Sequence, residues 1–216
     1  MEIKYLGHSS FFIKTKTAKL VTDPFDPELV GLKFSKIEAD IVTVSHQHKD
    51  HNQVKEVGGS LLIVDLPGEY EKNGMRIFGY SSYHDKQKGA ERGVNTLYKI
   101  EAEGISVLHC GDLGVVLEDS FIDAIGVVDV LLIPVGGFYT IDPAEAAELV
   151  KKFEPSLVIP MHYNQPKLEQ KNFGQLSNVD EFFKKLGVSM PVALPKLVIK
   201  GEELEDEMKV ILLELT

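Results

Sequence analysis

Positions 46 to 51 hold four side chains that can bind a metal: His46, His48, Asp50 and His51. The whole chain has only seven histidines. Imidazole and carboxylate donors, with no thiolate among them, suit Zn²⁺, Mn²⁺ or Fe²⁺. In extended backbone residues i and i+2 face the same way, so His46 and His48 can close on one ion. A helix beginning near residue 50 would turn Asp50 and His51 towards a neighbouring point, close enough for a second ion. The plainer reading of this segment alone is a histidine-rich surface loop.

Three further residues weigh against the plain reading. His84 follows an apolar strand at 75–82, Asp112 ends the run that starts at Ile105, and His162 ends the run that starts at Ser156. Each lies where an apolar strand gives way to a loop, the place where α/β proteins assemble their sites. Singly, each reads as a hydrogen-bonded core or surface residue. Together with the first cluster they form a pattern that chance rarely produces.

The elements that must position these residues can be read from periodicity. Short apolar or alternating runs at 2–6, 10–14 and 18–22 predict a meander. Further strands are expected at 41–45, 61–65, 75–82, 95–101, 105–110, 129–135, 156–161, 196–200 and 209–215. The runs at 129–135 and 156–161 are continuously apolar, as in strands covered on both faces. Asp142-Pro143-Ala144-Glu145 opens a helix with a capping residue, a proline at the first helical position and a glutamate at the third. A second helix begins at Asn178 and stops at Gly187. Weaker helices are expected at 50–57 and 118–126. With no linker or repeat, residues 1–216 read as one domain with helices packed outside a sheet sandwich.

The ordered set His46-x-His48-x-Asp50-His51, His84, Asp112 and His162 resembles the metallo-β-lactamase superfamily. Within it, Gly7-His8-Ser9, Asp23-Pro24, Gly111-Asp112 and Pro160-Met161-His162-Tyr163 are similar to the metal-dependent hydrolases related to ascorbate-6-phosphate lactonase. The resemblance implies an αββα sandwich of two mixed sheets flanked by helices, with the site along one edge. It also implies that His46, His48 and His84 hold one divalent metal, that Asp50, His51 and His162 hold a second, and that Asp112 bridges them. The expected cofactor is therefore two divalent ions, zinc first, with manganese or iron as alternatives. Two such ions about 3.5–4 Å apart can lower the pKa of a shared water towards neutrality. The implied reaction is attack of that hydroxide on a lactone, ester or phosphoester of a small metabolite, with Asp50 as proton acceptor.

Other residues are weaker candidates. Asp23 resembles the superfamily aspartate that orients a ligating imidazole. His8 either lines the pocket or makes a structural hydrogen bond, and His109, inside a strand, reads as a buried hydrogen-bonded residue. Tyr139, Thr140, Tyr163 and Asn164 lie on loops at the ligand-bearing end. Arg92 is the arginine near a ligand loop and could bind a phosphate or carboxylate, although an exposed turn arginine is the default.

Bulk properties narrow the function. A net charge of −10, with no lysine or arginine block, opposes nucleic-acid binding. A nuclease of the same superfamily and a non-catalytic metal-binding protein are the competing readings. The one cysteine, Cys110, excludes intramolecular disulfides. The start MEIKYLGHSS lacks the form of a signal peptide, and no apolar stretch reaches the roughly 18–20 residues that cross a bilayer. A cytoplasmic enzyme acting on a small molecule is the expectation, an anionic one if Arg92 binds it; the sequence leaves the oligomeric state open.

Overall fold

The computed structural model describes residues 1–204 and 207–216. Two sheets face each other across the main core. The first runs, edge to edge, Leu197–Val198, Glu2–Gly7, Ser10–Lys14, Lys19–Thr22, Ile41–Thr43 and Leu62–Val64. Its first four strands are antiparallel and its last three parallel, with Val21 opposite Val42 and Val42 opposite Ile63. The second runs Lys209–Val210, Leu157–Met161, Val130–Pro134, Ile105–His109, Val94–Ala102, Met75–Tyr83 and Gly68–Lys72. The four strands from Lys209–Val210 to Ile105–His109 are parallel, and the remaining pairs are antiparallel. A short parallel pair, Ile37–Glu38 with Val57–Gly58, stands apart.

Alternation explains the sandwich. Ile3, Phe11, Ile13 and Leu20 from the first sheet pack against Met75, Ile77, Leu97 and Val107 from the second. Val130–Pro134 and Leu157–Met161 are buried at every position because helices cover their far face. The main cover is Pro143–Phe153, packed against Val179–Leu186. Asp142 accepts from the Ala144 and Glu145 amides while Glu145 accepts from the Asp142 amide, which closes the expected capping box. The outer face of the first sheet, with Val21, Val42 and Val44, is covered by Phe25, Val30, Leu32 and Phe173. Val30 and Phe173 come from one-turn helices, Pro27–Val30 and Gln170–Phe173. The order is helix, sheet, sheet, helix, with the layer on the first sheet thin.

The expected helix at 118–126 forms as Asp119–Ile125. The one expected at 50–57 does not. His51 N–H closes a turn on the His48 carbonyl, Gln53 N–H is spent on the Pro24 carbonyl, and only a single 3₁₀ turn, Val54–Glu56, follows. The hydrogen bond to Pro24 anchors the segment to a distant loop and leaves no continuous i to i−4 ladder. The 209–215 strand is also shorter than expected: Lys209–Val210 pairs, and Leu213 and Leu215 make isolated bridges to Leu194 and Tyr5. Among the described residues no helix is long and apolar enough to cross a membrane.

The topology gathers the polar ends of strands from both sheets. Asp23 follows Lys19–Thr22, His46 follows Ile41–Thr43, and His8 follows Glu2–Gly7. His84 follows Met75–Tyr83, Asp112 follows Ile105–His109, and His162 follows Leu157–Met161. All six sit just beyond the carboxyl end of their strand, where open α/β sheets present their sites. The sheets are stitched there by main-chain bonds: Thr96 N–H donates to the Ser45 carbonyl and His162 N–H to the His8 carbonyl, both at 2.9 Å.

Candidate metal centre

Two donor groups lie side by side, and a third set, Asp23 with His46 and His51, joins them from behind. His46, His48 and His84 bring one ligand atom each within 4.8 Å of one another, and so do His8, Asp50, His51 and His162. Asp112 lies between the groups. Its Oδ2 is 3.4 Å from His84 Nε2 and 3.9 Å from His46 Nε2 on one side. On the other it is 3.3 Å from both His51 Nε2 and His162 Nε2. The structure thus brings together all seven residues expected to ligate, and it adds His8.

Many polar atoms of these residues are left unsatisfied. His46 Nε2, His51 Nε2, His84 Nδ1, both His162 nitrogens and Asp112 Oδ1 are buried and make no hydrogen bond. Buried polar atoms normally find partners, because leaving one unpaired costs about 1–3 kcal/mol. So many unpaired imidazoles converging on one carboxylate fit divalent cations, which bind neutral imidazole and ionised carboxylate. The donor set is nitrogen and oxygen only, as zinc, manganese and iron accept.

Electrostatics in the metal-free chain favour those forms, with one exception. Burial opposes charge on Asp112, but His162 and His51 outweigh it and hold the carboxyl well below the usual range. For Asp50 burial is likewise outweighed, by His51 and His8. Burial holds His46 and His84 below the ordinary imidazole range. Burial and His162 push His8 down to about 4 against the pull of Asp50. His51 is the exception: burial lowers it, but Asp112 and Asp50 prevail and raise it well above its ordinary value.

Asp23 holds the ligands from behind. Its carboxylate accepts from Ser45 N at 2.8 Å, from Ser45 Oγ at 2.5 Å and from His51 Nδ1 at 2.8 Å. Because Ser45 Oγ spends its proton on Asp23, its 3.0 Å contact with His46 Nδ1 makes that nitrogen the donor. One carboxylate therefore fixes two tautomers, leaving the Nε2 lone pairs of His51 and His46 for metal. Burial opposes the charge on Asp23, but His109 and His51 keep its pKa low. His109 accepts from Gly111 N–H at Nδ1 and donates from Nε2 to the Ser9 carbonyl, the buried structural role read from sequence.

Asn95 does the same for Asp112, and sequence reasoning gave it no role. Its Nδ2 donates to the Cys110 carbonyl at 2.9 Å and its Oδ1 accepts from Asp112 N–H at 2.8 Å. Between them Gly111 takes φ 55°, and a Cβ there would lie 2.4 Å from Asn95 Oδ1 and 2.5 Å from Ser45 Cβ. An asparagine at the head of an apolar strand was the available signal. Ser45 was missed too, although it directly precedes the histidine pair.

The remaining candidates separate. His8 Nε2 lies 3.1 Å from Asp50 Oδ2, so His8 touches the centre rather than a remote structural partner. Tyr163 is buried and stacked on Tyr5 at 6.5 Å, with burial pushing its hydroxyl up to about 12. Asn164 faces Gln170 at 3.3 Å. Arg92, Tyr139 and Thr140 line a cavity of about 290 Å³ that His84 also borders.

Comparison with known proteins agrees with this geometry. Residues 2–162 match the model of the Beta-lactamase superfamily domain. A UPF0173 metal-dependent hydrolase from Thermococcus kodakarensis is 28% identical over 234 residues, covering 95% of this chain and 99% of that protein. One from Pelotomaculum thermopropionicum is 30% identical over 201 residues, covering 79% and 88%. A crystal structure from Thermotoga maritima, described as a candidate Zn-dependent hydrolase of the metallo-β-lactamase superfamily, superposes with a TM-score of 0.80. It is 37% identical to this chain and covers 98% of it and 97% of its own length.

Proposed function

Because this chain belongs to the β-lactamase superfamily, with two histidine-rich donor groups meeting at one carboxylate, we propose that it is a metal-dependent hydrolase of small molecules. The observation that carries the reading is the position of Asp112, with four imidazole nitrogens from 3.3 to 3.9 Å around one oxygen. His46, His48 and His84 would hold one divalent ion and Asp50, His51 and His162 the other, with Asp112 reaching both. Zinc is the first choice, on the nitrogen and oxygen donor set and on the zinc dependence ascribed to the Thermotoga maritima protein. When bound, such ions polarise the scissile oxygen and make water acidic enough to attack at neutral pH.

The chain's own residues supply the rest. Asp50 is kept ionised by His51 and His8, so its Oδ2 can take the proton of an attacking water. His8, touching that same oxygen, orients the carboxylate. Asp23 and Ser45 hold the imidazole tautomers, and Asn95 holds the Asp112 turn. A lactone, ester or phosphoester is the proposed target, on the likeness of the Gly7-His8-Ser9 and Pro160-Met161-His162-Tyr163 segments to the lactonase branch. A cavity of about 290 Å³ suits a small metabolite and a net charge of −10 does not suit a polynucleotide. The proposal places the enzyme in the cytoplasm.

The test is a panel of lactones, phosphodiesters and single-stranded RNA given to zinc- or manganese-loaded protein, with metal content by elemental analysis. About two metals per chain and turnover of a small ester or lactone are expected. No metal under saturating conditions, with the fold intact by circular dichroism, refutes the metal assignment. Turnover of RNA alone would make the protein a nuclease.

A further inference from the structure

The cavity beside His84 carries more charge than the hydrolysis needs. Its lining includes four carboxylates, Asp85, Glu91, Asp142 and Glu145, and two cations, Lys86 and Arg92. Most of these are committed. Asp85 is filled on both oxygens by four main-chain N–H groups: Gln87 and Gly89 on one, Glu91 and Arg92 on the other, at 2.7 to 3.0 Å. Asp142 and Glu145 close the capping box of the helix Pro143–Phe153, and Glu145 also pairs with Lys86 at 2.5 Å.

Arg92 is different. Its guanidinium makes no side-chain hydrogen bond among the described residues. It approaches Glu91 at 3.6 Å, too long for a hydrogen bond, and stands 5.8 Å from the centre of the Tyr139 ring. Five N–H donors are left for something else. The group is nonetheless well placed: its backbone is tied to Asp85 through the amide, and an aromatic face lies beside the guanidinium. The side chain is one-third exposed and opens on the cavity that His84 borders.

Resting on the hydrolase reading, we infer that Arg92 recognises a carboxylate or phosphate on the substrate, and that the enzyme's substrates are small anionic esters or lactones. A planar fork of donors matches either anion in bidentate fashion. The wall formed by Tyr139 and Phe138, rings 4.7 Å apart, gives the uncharged part of such a molecule an apolar surface. At about 290 Å³ the cavity limits that molecule to metabolite size.

The experiment compares a neutral lactone with the same lactone carrying a carboxylate or a phosphate, on zinc-loaded wild type, Arg92→Ala, Arg92→Lys and Lys86→Ala. The readouts are kcat/KM and, separately, affinity by titration calorimetry. In Arg92→Ala the ratio of anionic to neutral kcat/KM should fall about 10- to 150-fold, the worth of a charge-assisted hydrogen bond of roughly 1.5–3 kcal/mol. Arg92→Lys should recover part of it. Lys86→Ala removes the same charge from the same cavity and should move the ratio less than about 5-fold, as for a screened surface pair. The carboxylate and phosphate arms show which headgroup is preferred. An unchanged ratio in Arg92→Ala, or an equal fall in Lys86→Ala, overturns the inference while leaving the hydrolase standing. If no lactone is turned over but wild type binds the anionic one more tightly than Arg92→Ala does, the lactone reading fails and the anion site stands. No binding preference for either anion over the neutral lactone overturns the site outright.

Discussion

Replacing Asp23 with asparagine changes one atom of the side chain from acceptor to donor, and the geometry dictates which. Ser45 N–H must keep an acceptor, so the carbonyl oxygen of the new amide takes the place of Oδ1. The NH₂ then faces Ser45 Oγ and His51 Nδ1, both of which now donate to Oδ2. The amide can restore the contact with His51 only if Nδ1 becomes the acceptor, which moves the imidazole proton to Nε2. That proton occupies the lone pair that a metal needs. His46 is affected less, because the Ser45 hydroxyl can rotate and still accept from its Nδ1.

The size of the effect follows. Two hydrogen bonds to a charged oxygen are exchanged for weaker neutral ones, so the metal-free fold should lose about 1–3 kcal/mol. Metal affinity at the Asp50, His51 and His162 group should fall about 10- to 100-fold, the usual cost of losing a supporting partner, and less at the His46, His48 and His84 group. Competition with a chromophoric chelator measures both affinities. Long-range ¹H–¹⁵N spectra of the metal-free protein, taken at a pH high enough to leave His51 neutral, report whether it carries its proton on Nδ1 or Nε2. Unchanged affinity, or weakened affinity with the wild-type His51 tautomer, would show that Asp23 does not act by fixing that ring.

Three further outcomes are expected. Asp112→Ala should lose metal at both groups together with activity, whereas Asp50→Asn should keep the first metal, retain some of the second and lose about 10²–10⁴-fold in kcat, the worth of a general base; metal content and rate on the same preparations decide. Asn95→Leu strands the Cys110 carbonyl and the Asp112 amide and should destabilise the fold by about 2–5 kcal/mol in denaturant titrations, with weaker metal binding as the specific sign. In the metal-free protein His8 titrates near 4 against about 6.5 when unfolded, so between those values the unfolded chain binds more protons and stability should fall as pH drops from about 6.5 towards 4. A denaturation midpoint that falls equally in His8→Gln would assign the acid sensitivity to other groups.

Much of the centre was legible because its ligands sit at strand ends. A run such as Ser156 to Met161 announces a buried strand, and the histidine that follows it stands out as the polar residue at its carboxyl end. What periodicity could not show was the long-range hydrogen bonding. The helix expected at 50–57 failed because the Pro24 carbonyl, far away in sequence, claims the Gln53 amide. Asn95 was only the first residue of the strand expected at 95–101, and only the pairing of Val94–Ala102 with Ile105–His109 brings it to the Asp112 turn. Other features were written locally and missed. Asn73-Gly74, both in the left-handed region at φ 54° and 78°, marks the hairpin joining Gly68–Lys72 to Met75–Tyr83. Asp26, Pro27 and Gly31 are the cap, first residue and stop of the one-turn helix Pro27–Val30, where no helix was expected.

Backbone conformation was the part no residue pattern revealed. His8, Asp23 and His162 all stand at positive φ, at 57°, 37° and 51°, where a side chain costs roughly 1–3 kcal/mol. Hydrogen bonds hold each of them there. The His8 carbonyl accepts from both Tyr5 Oη and His162 N–H at 2.9 Å, so one left-handed residue locks the other across the two sheets. Asp23 N–H donates to the Thr43 carbonyl while its carboxylate takes three further bonds. A strand that ended in ordinary extended backbone would carry its next side chain onward and away from the seam. The left-handed turn instead reverses the chain within one residue and leaves the side chain at the strand's mouth, where the other sheet's ligands are. His46, His84 and Asp112 reach the centre without a positive φ, so the strain belongs to His8, Asp23 and His162, and the large apolar core between the sheets supplies the stability that tolerates it.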